Sequence, residues 1–269
     1  MPSDFPIVVL DSGAGGLSVL KKIHELMPNE ELIYMADSYF APYGPRSERV
    51  IKNRCFENMG FVELQNAKAL VLACNTATAA AVKELREAFD IPIIGMEPAV
   101  KPAADLTRTG VIGVLATEGT LDSEKFMDLQ SLFRDRVEII TKACPGLVDE
   151  IERIELDRGE IVKLVTEYTE VFLERGGDTL VLGCTHYALI TDIISEIVGP
   201  EVVVVDTGMA VAKELKRRLQ AEELNSDSKV KGRVSFFTSG NVEDQQIVLS
   251  RNWQEEIFVL HYLNFLLTV

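Results

Sequence analysis

Ala69-Leu70-Val71-Leu72-Ala73-Cys74-Asn75-Thr76-Ala77 and Thr179-Leu180-Val181-Leu182-Gly183-Cys184-Thr185-His186-Tyr187 are two statements of one pattern. In each, a short apolar run ends in a small residue and then a thiol. Small hydroxyl or amide side chains follow. An apolar run of this length reads as a strand buried on both faces, the kind found in parallel sheets covered by helices. The two thiols lie 110 residues apart. A feature presented twice at that distance points to a duplicated unit with two facing halves. Two thiols facing each other across a cleft can form a disulfide, a metal site or an acid–base pair.

Outward from these runs, strands and helices alternate. Ile7–Leu10 is an apolar run, and Gly13, Gly15 and Gly16 turn the chain into an amphipathic helix over Leu17–Met27. Glu31–Ala36 reads as a strand, Arg46–Asn66 as a helix, Thr76–Ala88 as an Ala-rich helix and Pro92–Gly95 as a brief strand. Val111–Leu115, Val137–Thr141 and Val202–Val205 are further strands. Ile161, Leu164, Val165, Tyr168, Val171 and Phe172 share one face of a helix. Glu222–Gly232 is polar and reads as a loop. This alternation implies an α/β fold with right-handed crossovers. Ile7–Gly13 also matches Val111–Thr117 in register. The expected architecture is two pseudo-symmetric, doubly wound domains with largely parallel sheets and the active site between them. One domain spans 1–97 plus 208–269, and the other spans 98–207.

Bulk properties narrow the function. The chain has 269 residues and is 47% hydrophobic, ample for globular cores. Its net charge of −15, without a cluster of Lys and Arg, argues against a nucleic-acid binder. Lys216-Arg217-Arg218 sits at the end of a helical pattern, where cations suit the dipole. Four scattered cysteines do not make a disulfide framework. The start, Met-Pro-Ser-Asp-Phe-Pro, lacks the basic region of a secretory signal. Ile257–Val269, the longest apolar run, is broken by His261 and Asn264 and is shorter than the roughly 20 residues a membrane span needs. It reads as a buried terminal helix or strand. A soluble, cytoplasmic protein with reduced thiols and no membrane association is the expectation.

The motifs narrow it further. Asp11-Ser12-Gly13-Ala14-Gly15-Gly16 is not a dinucleotide fingerprint, because Ser18 stands where Gly-x-Gly-x-x-Gly needs its last glycine. What remains is a polar pair at a strand end and a turn that opens a helix, a natural anion site. Asp37 with Pro42-Tyr43-Gly44 taken alone reads as a turn. A free cysteine has a pKa near ~8.5, so forming its thiolate at pH 7 costs about 2 kcal/mol. A neighbouring Asp or His can assist that transfer. Asn and Thr side chains can hold a carboxylate without a formal cation. A lone buried cysteine is ordinary packing, but two in matched contexts argue against that. Zinc would want closer Cys or His spacing, and neither Cys-x-x-Cys nor His-x-x-x-His occurs. A cysteine hydrolase could recruit Cys184 with His186, but would leave Cys74-Asn75-Thr76 without a task. His24 and His261 lie in helical or apolar stretches and read as structural.

Together these segments resemble glutamate racemase, of the aspartate/glutamate racemase family, a cofactor-independent enzyme of bacterial cell-wall precursor supply. The likeness rests on Asp11-Ser12-Gly13-x-Gly15-Gly16-Leu17-Ser18, on Asp37 with Pro42-Tyr43-Gly44, on Ala73–Ala77 and on Gly183–Tyr187, in order from Ile7 to about Gly208. Cys144-Pro145 with Leu147, Val148 and Glu152 resembles a further segment of the family. The chain departs at Ala188, where the family usually carries proline. The resemblance implies Cys74 and Cys184 as the two acid–base groups, assisted by Asp11 and His186 respectively. It implies Asp11, Ser12, Pro42, Tyr43, Gly44, Asn75, Thr76, Thr120, Thr185 and His186 as substrate ligands, with Glu152 and Thr117 as further candidates. It implies L- and D-glutamate as substrates, no metal, no cofactor, and a homodimer as the plausible assembly. A racemase of aspartate, and a binding protein that has lost catalysis, are the alternatives.

Overall fold

The computed structural model describes residues 3–253 and 256–262. Among these residues, ten strands make two sheets. The first holds β1 (Ile7–Asp11), β2 (Leu32–Ala36), β3 (Ala69–Leu72), β4 (Ile93–Ile94), β9 (Val234–Thr238) and β10 (Val259–His261) in the order β10-β9-β2-β1-β3-β4. The second holds β5 (Val111–Ala116), β6 (Glu138–Ala143), β7 (Thr179–Leu182) and β8 (Val203–Val205) in the order β6-β5-β7-β8. Every strand pair is parallel. The α/β class and the two parallel sheets agree with the sequence reading.

Burial explains which strands were easy to find. β1, β3 and β7 are buried along their whole length, so Ile7–Leu10, Ala69–Leu72 and Leu180–Leu182 are unbroken apolar runs. β6 lies at an edge and is at most half-buried. The chain after residue 208 returns to the first sheet, where β9 pairs with β2 and β10 with β9. β9 and the helix Val242–Trp253 carry no periodic signal that singles them out, because Ser235 and Thr238 interrupt the first and the second is largely polar. The terminal apolar run contributes β10, and its part beyond residue 262 lies outside the described residues. No helix among the described residues is long and apolar enough to cross a membrane.

Helices cover the sheets with their apolar faces. Leu17–Leu26 buries Leu17, Val19, Leu20 and Ile23, each side chain contributing about 1.5–3 kcal/mol on full burial. Asn75–Ala88 follows β3 and buries Ala77, Ala80, Ala81, Val82 and Leu85. Its small residues let it lie close to the sheet. Thr78 fixes its first turn by donating to the Leu72 carbonyl at 3.1 Å and accepting the Met96 amide at 3.1 Å.

Both sheets reverse their strand order in the same way. From β1 the chain moves to β2 on one side, then crosses back to β3 on the other. From β5 it moves to β6, then crosses to β7. The crevice beyond the strand ends at such a reversal is where open α/β sheets bind ligands. In the first sheet it collects Asp11, Ser12 and Cys74. In the second it collects Thr117 and Cys184.

Candidate active site

Cys74 is the second residue past β3, after Ala73, and is the N-cap of the helix Asn75–Ala88. Its extended backbone (φ −141°, ψ 122°) turns Sγ back to accept the Ala77 amide at 3.4 Å. Cys184 has nearly the same backbone (φ −140°, ψ 135°), but a 3-10 turn, Thr185–Ile190, follows it. The two copies of the motif thus place their thiols alike and surround them differently. All four cysteines are buried and free. Among the described residues, no three His, Cys, Asp or Glu side chains gather as metal ligands would.

Beside Cys184 stands His186, with Nδ1 at 3.8 Å from Sγ. Its Nε2 lies 2.6 Å from Glu152 Oε1, and the same oxygen accepts the Ala14 amide at 2.6 Å. Gly15 N also approaches Nε2, at 3.3 Å. An Nε2 that donates to Glu152 cannot accept from Gly15, and the shorter, charge-assisted bond decides the proton's place. Burial opposes a charge on His186. The bonds to Cys184 and Glu152 outweigh it and hold the imidazole pKa well above its ordinary value. Glu152 is largely withdrawn from solvent, which opposes its charge, yet its bonds to His186 keep its carboxyl below the usual range. Cys184 therefore faces an imidazolium backed by a carboxylate.

Cys74 has another setting. Burial pushes its thiol well up, and the nearby Asp11 charge pushes it further. Asp11 does not bond the thiol directly. It accepts the Gly13 amide at 2.8 Å and the Thr185 hydroxyl at 3.1 Å, so it ties the first sheet to the second. Burial raises the Asp11 pKa to about 6, even against the His186 charge. Ser12 Oγ lies 3.9 Å from Sγ.

The glycine turn has a reason that its sequence alone did not disclose. A Cβ on Gly15 would lie 2.6 Å from the His186 backbone nitrogen and 2.6 Å from Thr185 Oγ1. A Cβ on Gly13 would collide with the Glu152 carboxylate. The two halves meet here so closely that side chains are excluded. The anion drawn to this turn is the protein's own Glu152.

One small cavity lies between the two switch points. Ser12, Pro42, Tyr43, Gly44, Cys74, Asn75 and Thr76 line it from the first half, and Thr117, Val148, Cys184, Thr185 and His186 from the second. Its volume is about 10 Å³, roughly one water's worth. Asn75 is 4% exposed, and neither its Oδ1 nor its Nδ2 has a partner. Buried amides rarely stay unsatisfied, so a polar ligand is the natural complement. Thr76, Thr117 and Thr120 form a triangle of hydroxyls with edges of 2.9, 3.2 and 3.0 Å. Tyr43 spends its hydroxyl on Asp37 at 2.5 Å. Arg54, Ser239 and Tyr262 hold that carboxylate too.

A sequence model described as Asp/Glu/Hydantoin racemase matches residues 7–215. The chain belongs to this family. It is 48% identical over 241 residues to a glutamate racemase of Methylococcus capsulatus, covering 90% of this chain and 89% of that one. A glutamate racemase isoform of Bacillus anthracis superposes with a TM-score of 0.84 at 34% identity, over 95% of this chain and 96% of that one. The enzyme of Francisella tularensis, solved in complex with D-glutamate, has a TM-score of 0.82 at 28% identity, over 96% and 97% of the two chains.

Against this family background, the residues singled out from the sequence fall into two shells. Ser12, Pro42, Tyr43, Gly44, Cys74, Asn75, Thr76, Thr117, Cys184, Thr185 and His186 line the cavity. Asp11, Thr120 and Glu152 do not line it, and each bonds to a residue that does. Val148 lines the cavity and was not among the candidates. Its signal was its place after Cys144-Pro145, in the segment that resembles the family's.

Proposed function

We propose that this protein interconverts L- and D-glutamate, moving the α-proton between two cysteines without a cofactor, and so supplies D-glutamate for peptidoglycan. The observation that carries this reading is the pair of thiols, each at the carboxyl edge of its own sheet, lining one cavity. Inversion at an α-carbon requires a proton to leave one face and another to arrive on the opposite face. One base cannot serve both faces without the substrate turning over, whereas two bases on opposing walls can. A turnover of ~10 s⁻¹ corresponds to a barrier of roughly 16 kcal/mol. Holding the substrate between preset groups in a dry cleft supplies much of that reduction.

The roles follow from the surroundings. Cys184, facing the His186 imidazolium, takes the proton from L-glutamate, and Cys74 delivers one to the other face. In reverse, Cys74 takes the proton from D-glutamate, and Asp11 stands near enough to bias that transfer. Asn75 and the hydroxyls of Thr76, Thr117, Thr185 and Ser12 offer donors to the substrate's carboxylates, and Thr120 supports Thr76 from behind. The division into 1–97 plus 208–269 and 98–207 suits this chemistry. Each part carries one sheet and one thiol, and parting them admits the substrate.

The test is purified protein with L-glutamate, assayed for D-glutamate by chiral separation, with L-aspartate in parallel. Turnover of glutamate without added pyridoxal phosphate and in the presence of a chelator is expected, with aspartate far slower. No turnover of either enantiomer of glutamate, or faster turnover of aspartate, would overturn the reading.

A further inference from the structure

The helix Val242–Trp253 reaches across the seam between the halves and touches the acid–base relay from behind. It follows β9 of the first sheet. Its Arg251 donates through Nη2 to the Ile151 carbonyl at 2.9 Å, and through Nη1 to the carbonyls of Arg153 at 2.8 Å and Ile154 at 3.1 Å. The Ile151 carbonyl lies in the last turn of the short helix Leu147–Glu152 in the second half, and the other two follow directly after its end. A helix leaves its last carbonyls without intrahelical partners, and one guanidinium fork, whose donors are fixed in a plane, pins this end through Ile151 and the two residues that follow the helix. Glu152 is the last residue of that helix. Gln245, from the same long helix, shares a surface depression with Glu152 and favours its charged form.

We propose that Arg251 is a positioning residue for the racemase reaction: it fixes the end of the helix Leu147–Glu152, and so sets Glu152 against His186 and His186 against Cys184. This rests on the glutamate racemase reading. The chain of contact is continuous, from Arg251 to the Ile151 carbonyl, along the backbone to Glu152, then 2.6 Å to His186 Nε2 and 3.8 Å from Nδ1 to Cys184 Sγ. Arg251 itself is not among the residues lining the cavity. The clasp also crosses the seam that, on the racemase reading, parts to admit substrate, so its contacts are made when the halves are closed. An ordinary surface arginine has no such reach. This one joins two halves at the end of the helix that carries Glu152.

The test is a double-mutant cycle on kcat for L-glutamate, with wild type, Arg251→Ala, Glu152→Gln and the double variant. Arg251→Ala is expected to lower kcat about tenfold to a hundredfold, the cost of a misplaced group about 1 Å from its station, with KM changed much less. In the Glu152→Gln background the same change is expected to have little further effect. Arg251→Lys, which keeps the cation but not the fork, is expected to fall between. A purely structural role would lower activity by the same factor in both backgrounds, and that multiplicative result would overturn the proposal. So would an unchanged kcat in Arg251→Ala. If Arg251→Ala does not fold, Arg251→Lys carries the same cycle. A wild type inactive on glutamate would instead remove the racemase reading beneath it.

Discussion

Cys74→Ala and Cys184→Ala are each expected to lower racemisation in both directions by roughly 10³–10⁴-fold, the upper range for loss of a positioned acid or base. Every turnover uses both thiols. The group missing as base in one direction is missing as acid in the other. The two enantiomers have equal free energies, so kcat/KM must fall by the same factor from either side. The fold should survive, because each change removes one buried sulfur and leaves the strand and its neighbours in place. Equal melting temperatures would establish that. The chief bond lost on the Cys74 side is the Ala77 amide's contact to sulfur at 3.4 Å. A hydrolase built on Cys184 and His186 would tolerate Cys74→Ala. Near-normal racemisation by either variant would end the two-thiol account.

His186→Asn is expected to cost about 10²-fold in kcat/KM, nearer the lower end of the same range. Asparagine keeps a polar group near Cys184 but carries no charge. What is lost is the cation that bridges the Cys184 sulfur, at 3.8 Å, and the Glu152 carboxylate, at 2.6 Å. Glu152 would then be a carboxylate largely withdrawn from solvent and short of its main partner, a costly arrangement. Since kcat/KM must fall equally in both directions, the asymmetry belongs in kcat. It should drop further for L-glutamate, where Cys184 is the base, than for D-glutamate. Initial rates from each pure enantiomer over a range of concentrations measure this. Unchanged kcat in both directions would remove His186 from the proton path.

The centre of the site stood out from the residues themselves, whereas Thr117, Thr120 and Glu152 were named only through the family resemblance, for a physical reason. β3 and β7 are buried on both faces, so Ala69–Leu72 and Leu180–Leu182 are wholly apolar runs that stop abruptly at Cys74 and Cys184. Asp11 stands out for the same reason, as a charge ending the buried strand β1. Thr117 and Thr120 are ordinary turn residues by themselves. Only the packing of Gly44 and Thr76 against Thr117 and Gly119 makes them part of a wall. The glycines of the first turn read as a tight turn or an anion site. Their close approach to Glu152 and His186 depends on a contact across more than a hundred residues of chain. Arg251 and Gln245 carry no signal at all, since a polar residue on a polar helix is the commonest of surface features.

The two-base claim is tested most directly by the fate of the α-hydrogen in deuterated water. Protiated L-glutamate is incubated with the wild-type protein and sampled early, before the product accumulates. The enantiomers are separated and the α-deuterium in each is measured by mass spectrometry. The proton taken by Cys184 stays on that side of the substrate. The hydrogen delivered by Cys74 has exchanged with solvent. The account therefore gives D-glutamate fully deuterated at the α-carbon from the first turnovers, beside recovered L-glutamate that remains largely protiated. D-glutamate retaining its original protium, or L-glutamate gaining deuterium as fast as product forms, would show a single base serving both faces and would contradict it.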